Sequence, residues 1–99
     1  RVQRAEARFD GLAGCLRTPT GGSSRQLLLF VEGKSLRSRL ISPREAARLM
    51  GVPEHYPLPS GQTAALHLVG DAVCVPVVRW LSQNLLSPLA GAAAARKSA

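Results

Sequence analysis

Hydrophobic and polar positions follow two different patterns on either side of residue 41. On the N-terminal side, "LLLFVEG" is an apolar run that ends at Gly33, and "KSLRSRL" alternates leucine or serine with arginine. An apolar run and an alternating run, joined at Gly33-Lys34, predict two β-strands with a tight turn between them. Further upstream, the apolar and glycine-rich "GLAGCL" at 11–16 predicts another short strand.

After residue 41 the pattern becomes helical. Ser42 is followed by Pro43 and, three positions after the serine, by Glu45. This is the sequence of a capping box, with proline at the first helical position, where its missing N–H is not needed. The apolar side of this first helix consists of Ala46, Leu49 and Met50. Gly51 and Pro53 are the signals that end it.

Two more helices are predicted downstream. "QTAALHLVG" predicts a short helix with a cap at Ser60 and an end at Gly70. Asp71 is the expected cap of a third helix, with Pro76 in its first turns. One side of that helix carries apolar residues at helical spacing, namely Val73, Val77, Trp80, Leu81 and Leu85. The low-complexity end, 89–99, is expected to be a flexible tail, and the fold class is α+β.

Composition adds a preference for an acidic partner. The 99 residues carry a net charge of +7 and a pI near 11.1, which suits a polyanion such as nucleic acid, although a basic surface can also serve solubility alone.

Cys15 and Cys74 lack the spacing of a metal site and are expected as buried free thiols in a reducing cytosol. No apolar run of about 18 residues is present, so no membrane span is expected, and a chain that opens on Arg1 is compatible with a trimmed piece.

The chemistry-bearing residues favour binding over catalysis. His55 and His67 are too far apart for a helical metal pair, and neither cysteine has an activating partner in sequence. The loop "LRTPTGGSSRQ" combines hydroxyls and adjacent glycines with arginines at both ends, as a reader of phosphates and base edges would. A flexible hairpin loop explains it equally well. The candidate DNA contacts are Arg17, Thr18, Gly21, Gly22, Ser23, Ser24 and Arg25.

Two longer motifs carry a family resemblance. "RLISPREAARLMGVPEHY" at 39–56 resembles the ninth conserved motif of the DNA (cytosine-5) methyltransferases, R-x-L-T-P-R-E-x-A-R-L-Q-G-F-P-D. "GDAVCVPV" at 70–77 resembles their tenth motif, G-N-[AS]-V-x-x-P-V, and the upstream glycine-serine loop looks like the end of their target-recognition domain. The ninth-motif residues expected to be structural are Arg39, Pro43, Arg44, Glu45, Arg48 and Gly51, with buried or half-buried polar contacts expected at Arg44, Glu45 and Arg48.

The resemblance implies an architecture and a role. Residues 1–41 would end the target-recognition domain, with a DNA-contacting loop at 17–26. Residues 42–88 would hold the two motifs, and the last helix would dock on a Rossmann-like S-adenosylmethionine domain outside this chain. The cofactor pocket would include Gly70, Asp71, Ala72 and Val73. Asp71 stands where the family usually has asparagine, which puts direct cofactor contact by this residue in doubt.

The family's catalytic motifs are not in this sequence. The chain has no Pro-Cys nucleophile loop, no Glu-Asn-Val motif and no glycine-rich cofactor loop. We therefore expect the chain to be the C-terminal segment of a bacterial, cytoplasmic methyltransferase of the restriction-modification type that acts on double-stranded DNA. The segment is expected to be inactive by itself. A catalytic half, in a longer chain or in a companion subunit, would complete the enzyme. The alternative is a stand-alone DNA-binding or regulatory fragment. The order of the motifs argues against a generic basic α+β domain.

Overall fold

A β-hairpin followed by helices makes up the regular secondary structure of the described residues, as the α+β class predicts. The computed structural model describes residues 6–20 and 25–98. The elements are β1 (Leu27–Glu32), β2 (Ser35–Leu40), α1 (Pro43–Leu49), α2 (Gln62–Asp71), α3 (Val75–Leu81), a π-helical turn (Ser82–Leu86) and α4 (Ser87–Ser98).

The hairpin has the strands and the turn that the alternation predicts. β1 and β2 pair antiparallel, from Leu27 opposite Leu40 to Glu32 opposite Ser35. The two-residue turn between them begins with Gly33 at φ +59°, a left-handed conformation that glycine adopts without a Cβ clash. The hairpin prediction is therefore confirmed.

The predicted strand at 11–16 is wrong. This segment is irregular, and Gly11 has φ +76°, which breaks an extended conformation. The carbonyl of Cys15 accepts a hydrogen bond from the side-chain Nε2 of Gln26 at 3.2 Å, not from a neighbouring strand. Cys15 is also exposed and Cys74 is half-buried. Both are free thiols as expected, but the expectation that they are buried is wrong.

The first helix follows its sequence signals. The Ser42 hydroxyl accepts from the backbone N–H of Glu45 at 3.3 Å, and the Glu45 carboxylate accepts from the backbone N–H of Ser42 at 2.9 Å. Pro43 opens the helix. The chain leaves it through Gly51 at φ +72°. The capping box and the glycine stop are confirmed.

The boundaries of the next two helices differ from those predicted. Gly61 precedes α2 without a side-chain cap, so the predicted cap at Ser60 is wrong, and the helix runs one residue past Gly70 to Asp71. Cys74 takes the N-cap position of α3, so the predicted cap at Asp71 is also wrong. The physical reason is a tertiary contact, because the Asp71 carboxylate accepts a hydrogen bond from the Thr18 hydroxyl.

A small apolar core lies where α1 and α2 pack together. Ala47 is fully buried, in one cluster with Ile41 and with Val69 of α2. Leu16 and Leu28 bring the irregular N-terminal segment and the hairpin to the same core. Small alanines at the contact allow the two helices to approach closely. Among the residues that the structure describes, the buried hydrophobic ones are Ile41, Ala46, Ala47, Ala65, Leu66 and Val69.

The last helical stretch runs without interruption from Val75 to Ser98. α3 passes through the π-helical turn, where the N–H of Ser87 bonds to the carbonyl of Ser82, into α4. Residues 89–98, predicted as a flexible tail, are therefore helical, because a run of alanine is the best helix-forming sequence. The predicted apolar stripe is exposed along this stretch, although Val73 precedes the helix.

The C-terminal part of the chain is long enough and apolar enough to cross a membrane, by length and composition alone. The stretch from Gln62 to Ser98 meets the length and composition criterion, which core helices also meet. The irregular residues 72–74 interrupt it, and the polar Arg79 follows soon after. The absence of a membrane span therefore stays a prediction from the sequence.

Candidate nucleic-acid interface

The loop at 17–26 is held at its first end by α2. A Cβ on Gly70 would lie 2.6 Å from Thr18 Cα and 2.7 Å from the carbonyl carbon of Arg17. Real Cβ atoms do not approach backbone so closely, so only glycine lets the loop backbone cross the helix here. The Thr18 hydroxyl donates to Asp71 at the same crossing. The loop therefore leaves the core from a fixed point.

The second end of the loop is fixed to the start of α1. The backbone N–H of Ile41 donates to the carbonyl of Gln26 at 2.9 Å. The Gln26 side chain donates to the Cys15 carbonyl, and so links the two ends across the base of the loop. Both ends of the segment are thus anchored on the α1–α2 core.

The two arginines that flank the loop have different exposure. Arg17 is exposed and Arg25 is half-buried. In the described part of the chain, neither guanidinium forms an ion pair with a carboxylate. Both residues line an open cleft of about 1010 Å³ between the N-terminal segment and the hairpin. Two uncompensated positive charges at the base of one loop can bind phosphate groups. The candidates Gly21, Gly22, Ser23 and Ser24 lie outside the described residues.

A bidentate ion pair joins the hairpin to α1. The two guanidinium nitrogens of Arg39 lie 2.6 and 2.8 Å from the carboxylate oxygens of Glu45, and the same guanidinium lies 5.2 Å from the centre of the Phe30 ring. Hydrogen bonds from Arg39, and then from the N–H and hydroxyl of Ser42, hold the pKa of Glu45 well below its usual range. Glu45 therefore stays ionised at neutral pH and serves as cap and anchor together.

A second set of polar contacts holds the loop after α1. Arg48 forms a bidentate pair with Glu54, with distances of 2.8 and 2.7 Å, and this hydrogen bonding lowers the pKa of Glu54. Arg44 donates to the carbonyl of Tyr56 at 3.0 Å. Arg44 and Glu45 are half-buried as expected, whereas Arg48 is exposed, because its partner lies on the outer side of the loop. These residues fix backbone rather than present free charge.

The two motifs meet in direct contact. A Cβ on Gly51 would lie 2.6 Å from Cγ of Pro76, and the N–H of Val75 donates to the carbonyl of Met50 at 2.9 Å. The glycine thus serves two needs, a positive φ and room for the proline ring. The sequence predicts Gly51 as the helix stop and as a structural residue of the ninth motif, but nothing local shows that Pro76 packs against it.

The segment predicted for the cofactor lies beside the loop predicted for DNA. Asp71, Ala72 and Val73 are exposed and connect α2 to α3. Gly70 and Asp71 face Arg17 and Thr18. The structure therefore brings together residues that sequence reasoning divided between two ligands. Within 6–20 and 25–98 no cluster of residues is suited to hold a metal ion.

Comparison with known proteins gives a consistent result. The family model of C-5 cytosine-specific DNA methylases matches residues 4–87. Over 61 residues, or 62% of this chain, it is 38% identical to the type II methyltransferase M1.ScrFI of Lactococcus lactis subsp. cremoris and 36% identical to M.SsoII of Shigella sonnei. In an alignment of 93 positions that covers 81% of this chain, it is 28% identical to M.HpaII of Haemophilus parainfluenzae.

The matched region is a minor part of each relative. This chain spans 16% of the length of M1.ScrFI and of M.SsoII, and 26% of M.HpaII. No solved structure matches the chain. The family model nevertheless covers both motifs, the loop and the hairpin, which is most of the 99 residues. The chain therefore belongs to the C-5 cytosine-specific DNA methylase family.

Proposed function

We propose that this chain is the C-terminal segment of a DNA cytosine-5 methyltransferase, and that it contributes contacts to double-stranded DNA and part of the S-adenosylmethionine pocket. The observation that carries the proposal is the meeting of the arginine-flanked loop with segment 70–73, in a chain whose family acts on cytosine in DNA. A loop and a cofactor-side segment fixed on one core suit an enzyme that must hold both ligands in register.

The DNA contacts in this proposal are electrostatic. Arg17 and Arg25 have no carboxylate partner among the residues described, and the chain carries a net charge of +7. Guanidinium groups bind phosphate oxygens well because their planar donors match the geometry of the anion. Contacts of this kind position a protein on the duplex without reading its sequence.

The residues at 70–73 fit the cofactor only in part. Ala72 and Val73 form an exposed, irregular connection that a ligand can reach, although the N–H of Ala72 already donates to the carbonyl of Val69 at 3.3 Å. Asp71 fits less well, because its carboxylate already accepts from Thr18 and would repel the carboxylate of S-adenosylmethionine. When bound, the cofactor supplies the methyl group. We propose Ala72 and Val73 as its neighbours in this chain.

The chemistry of methyl transfer is assigned to the remainder of the enzyme. A thiolate nucleophile in a Pro-Cys motif is required, and these 99 residues contain no Pro-Cys. The proposed partner of this segment is therefore the catalytic half, in the same longer chain or in a companion subunit, and the proposed location is the bacterial cytoplasm. Cys15 and Cys74 have no role in this chemistry.

The DNA role is tested by removing single arginines. We expect Arg17→Ala and Arg25→Ala each to weaken binding to a fluorescent mixed-sequence duplex about equally for all sequences. Each should also lower the slope of log affinity against log salt by about 1, the effect of losing one phosphate contact. Fluorescence anisotropy over a salt series measures both quantities.

A charge-matched control separates local contact from net charge. Arg96→Ala removes the same charge at an exposed site in α4, outside the matched family region, and should leave the salt slope nearly unchanged. If both loop variants bind like the control, the loop does not contact DNA. If Arg25→Ala weakens binding to only some sequences, Arg25 reads a base.

A further inference from the structure

One contact connects the two ligand-facing parts of the molecule. The Thr18 hydroxyl donates to the carboxylate of Asp71, 53 positions away in sequence. At the next residue, Gly70, the absence of a Cβ lets the backbone of Arg17 and Thr18 pass over α2. A hydrogen bond and a close backbone approach thus occur together at the base of the loop.

Apart from its hydrogen bond with Thr18, Asp71 has no favourable interaction in the described part of the chain that explains a carboxylate at this position. It lies in the last turn of α2, where a negative charge is unfavourable beside the partial negative charge of the helix end. It does not cap α3, whose N-cap position is taken by Cys74. It forms no ion pair with the basic residues in the described ranges. The hydrogen bond from Thr18 is the interaction that accounts for a carboxylate here.

The remaining bonds of the loop show what this contact controls. The Thr20 hydroxyl bonds to the Thr18 carbonyl at 3.2 Å, so Thr18 is held through its side chain and its backbone. Arg17 directly precedes this anchor, and at the other end of the loop Arg25 precedes Gln26, which is bonded to Ile41. Each arginine therefore lies next to a residue that is hydrogen-bonded to the core of the chain.

We propose that Thr18, Gly70 and Asp71 form a latch that positions the DNA-contacting loop, and that Asp71 is a positioning residue for DNA binding. The proposal rests on the proposed function, since it assumes that the loop contacts DNA. It assigns Asp71 to the DNA side of the enzyme, where the resemblance placed it in the cofactor pocket.

The charge of Asp71 makes the test decisive. Removing a negative charge near DNA should strengthen binding if general electrostatics alone applies. The latch predicts the opposite result for Asp71→Ala, because the loss of the acceptor releases Arg17. Asp71→Asn removes the same charge but keeps a carbonyl acceptor, so it is the matched control. Thr18→Val and Thr18→Ser form the equivalent pair on the donor side.

The experiment measures binding of the 99-residue chain to a fluorescent mixed-sequence duplex over a salt series. We expect Thr18→Val and Asp71→Ala each to weaken binding by roughly three- to tenfold, the range for one hydrogen bond of about 0.7–1.4 kcal/mol. The double variant should be no weaker than either single variant, because both remove one interaction. Thr18→Ser should keep the original affinity within about twofold, and Asp71→Asn, which keeps the acceptor but loses the charge, should bind as tightly as the unmodified chain or more tightly.

Several results would overturn the latch. Asp71→Ala binding as tightly as the unmodified chain, or more tightly, would do so, as would additive losses in the double variant. Thermal unfolding followed by circular dichroism checks that each variant is folded. If Asp71→Ala does not fold, the isosteric Thr18→Val and its Thr18→Ser control decide the question alone. An unmodified chain that shows no binding refutes the DNA role itself, whereas loss with Arg17→Ala but not with Thr18→Val refutes only the latch.

Discussion

The exposed apolar side of the last helix predicts association. Val77, Trp80, Leu81 and Leu85 are 56, 61, 39 and 49% exposed, so about half of each side chain remains in water. Complete burial of a large apolar side chain contributes roughly 1.5–3 kcal/mol, so covering the remaining half of these four contributes about 3–6 kcal/mol. This is an upper range, because association also orders side chains. We expect the chain alone to self-associate through this helix.

Sedimentation velocity over a concentration series measures the association directly. We expect Leu85→Gln to weaken dimerisation by at least about thirtyfold, since each of the two copies loses roughly 1 kcal/mol of apolar burial and gains a polar group to desolvate. Arg79→Gln is the control, because Arg79 lies on the opposite side of the helix at 100° per residue. Trp80, the single tryptophan, reports burial of this side by a blue shift of its emission.

The alternative result is equally clear. A chain that sediments as a monomer at all concentrations, unfolds cooperatively and already shows blue-shifted Trp80 emission would mean that the helix completes its own core. The exposed stripe would then be covered within one molecule, and the docking role would be wrong.

Two further predictions concern the junction and its ion pairs. Gly51→Ala should lower the free energy of unfolding in urea more than Gly33→Ala does. Both glycines have a positive φ, which costs alanine about 1–2 kcal/mol, but only Gly51 also lacks room for a Cβ. Equal losses would contradict the packing of the two motifs. The lowered pKa of Glu45, due first to hydrogen bonds from Arg39, stabilises the fold fully above the usual value near 4.5 and progressively less as the pH falls below it. Glu45→Gln should flatten this acid dependence, leaving the part due to Glu54, and an unchanged pH profile in thermal unfolding would contradict it.

The parts of the fold that depend on neighbouring residues could be predicted from the sequence. The capping box at Ser42 and Glu45 and the turn at Gly33 involve positions three or fewer apart, so residue type and spacing determine them. The apolar stripe of the last helix could also be predicted, because helical periodicity places its residues on one side of the helix. The strand predicted at 11–16 failed because apolar composition does not supply a pairing partner.

The site depended on contacts that no local pattern contains. Asp71 has the residue type of an N-cap, and that is the role its position suggests. Its actual partner, Thr18, is 53 positions away, and Gly70 looks like a helix end until the loop backbone is placed against it. The family resemblance identified both segments as functional but assigned them to separate ligands. Only the folded chain brings them to one place.

If this chain completes a cytosine methyltransferase, it should restore activity to a relative that lacks its own C-terminal segment. The most direct measurement replaces the matched C-terminal segment of M.SsoII with this chain and follows tritium from labelled S-adenosylmethionine into cytosine of a mixed-sequence duplex. M.SsoII rejoined to its own segment is the positive control. We predict no transfer by this chain alone or by the truncated relative, and transfer by the fusion. Label transferred by the purified chain alone, or a folded but inactive fusion beside an active control, would contradict this role of the chain.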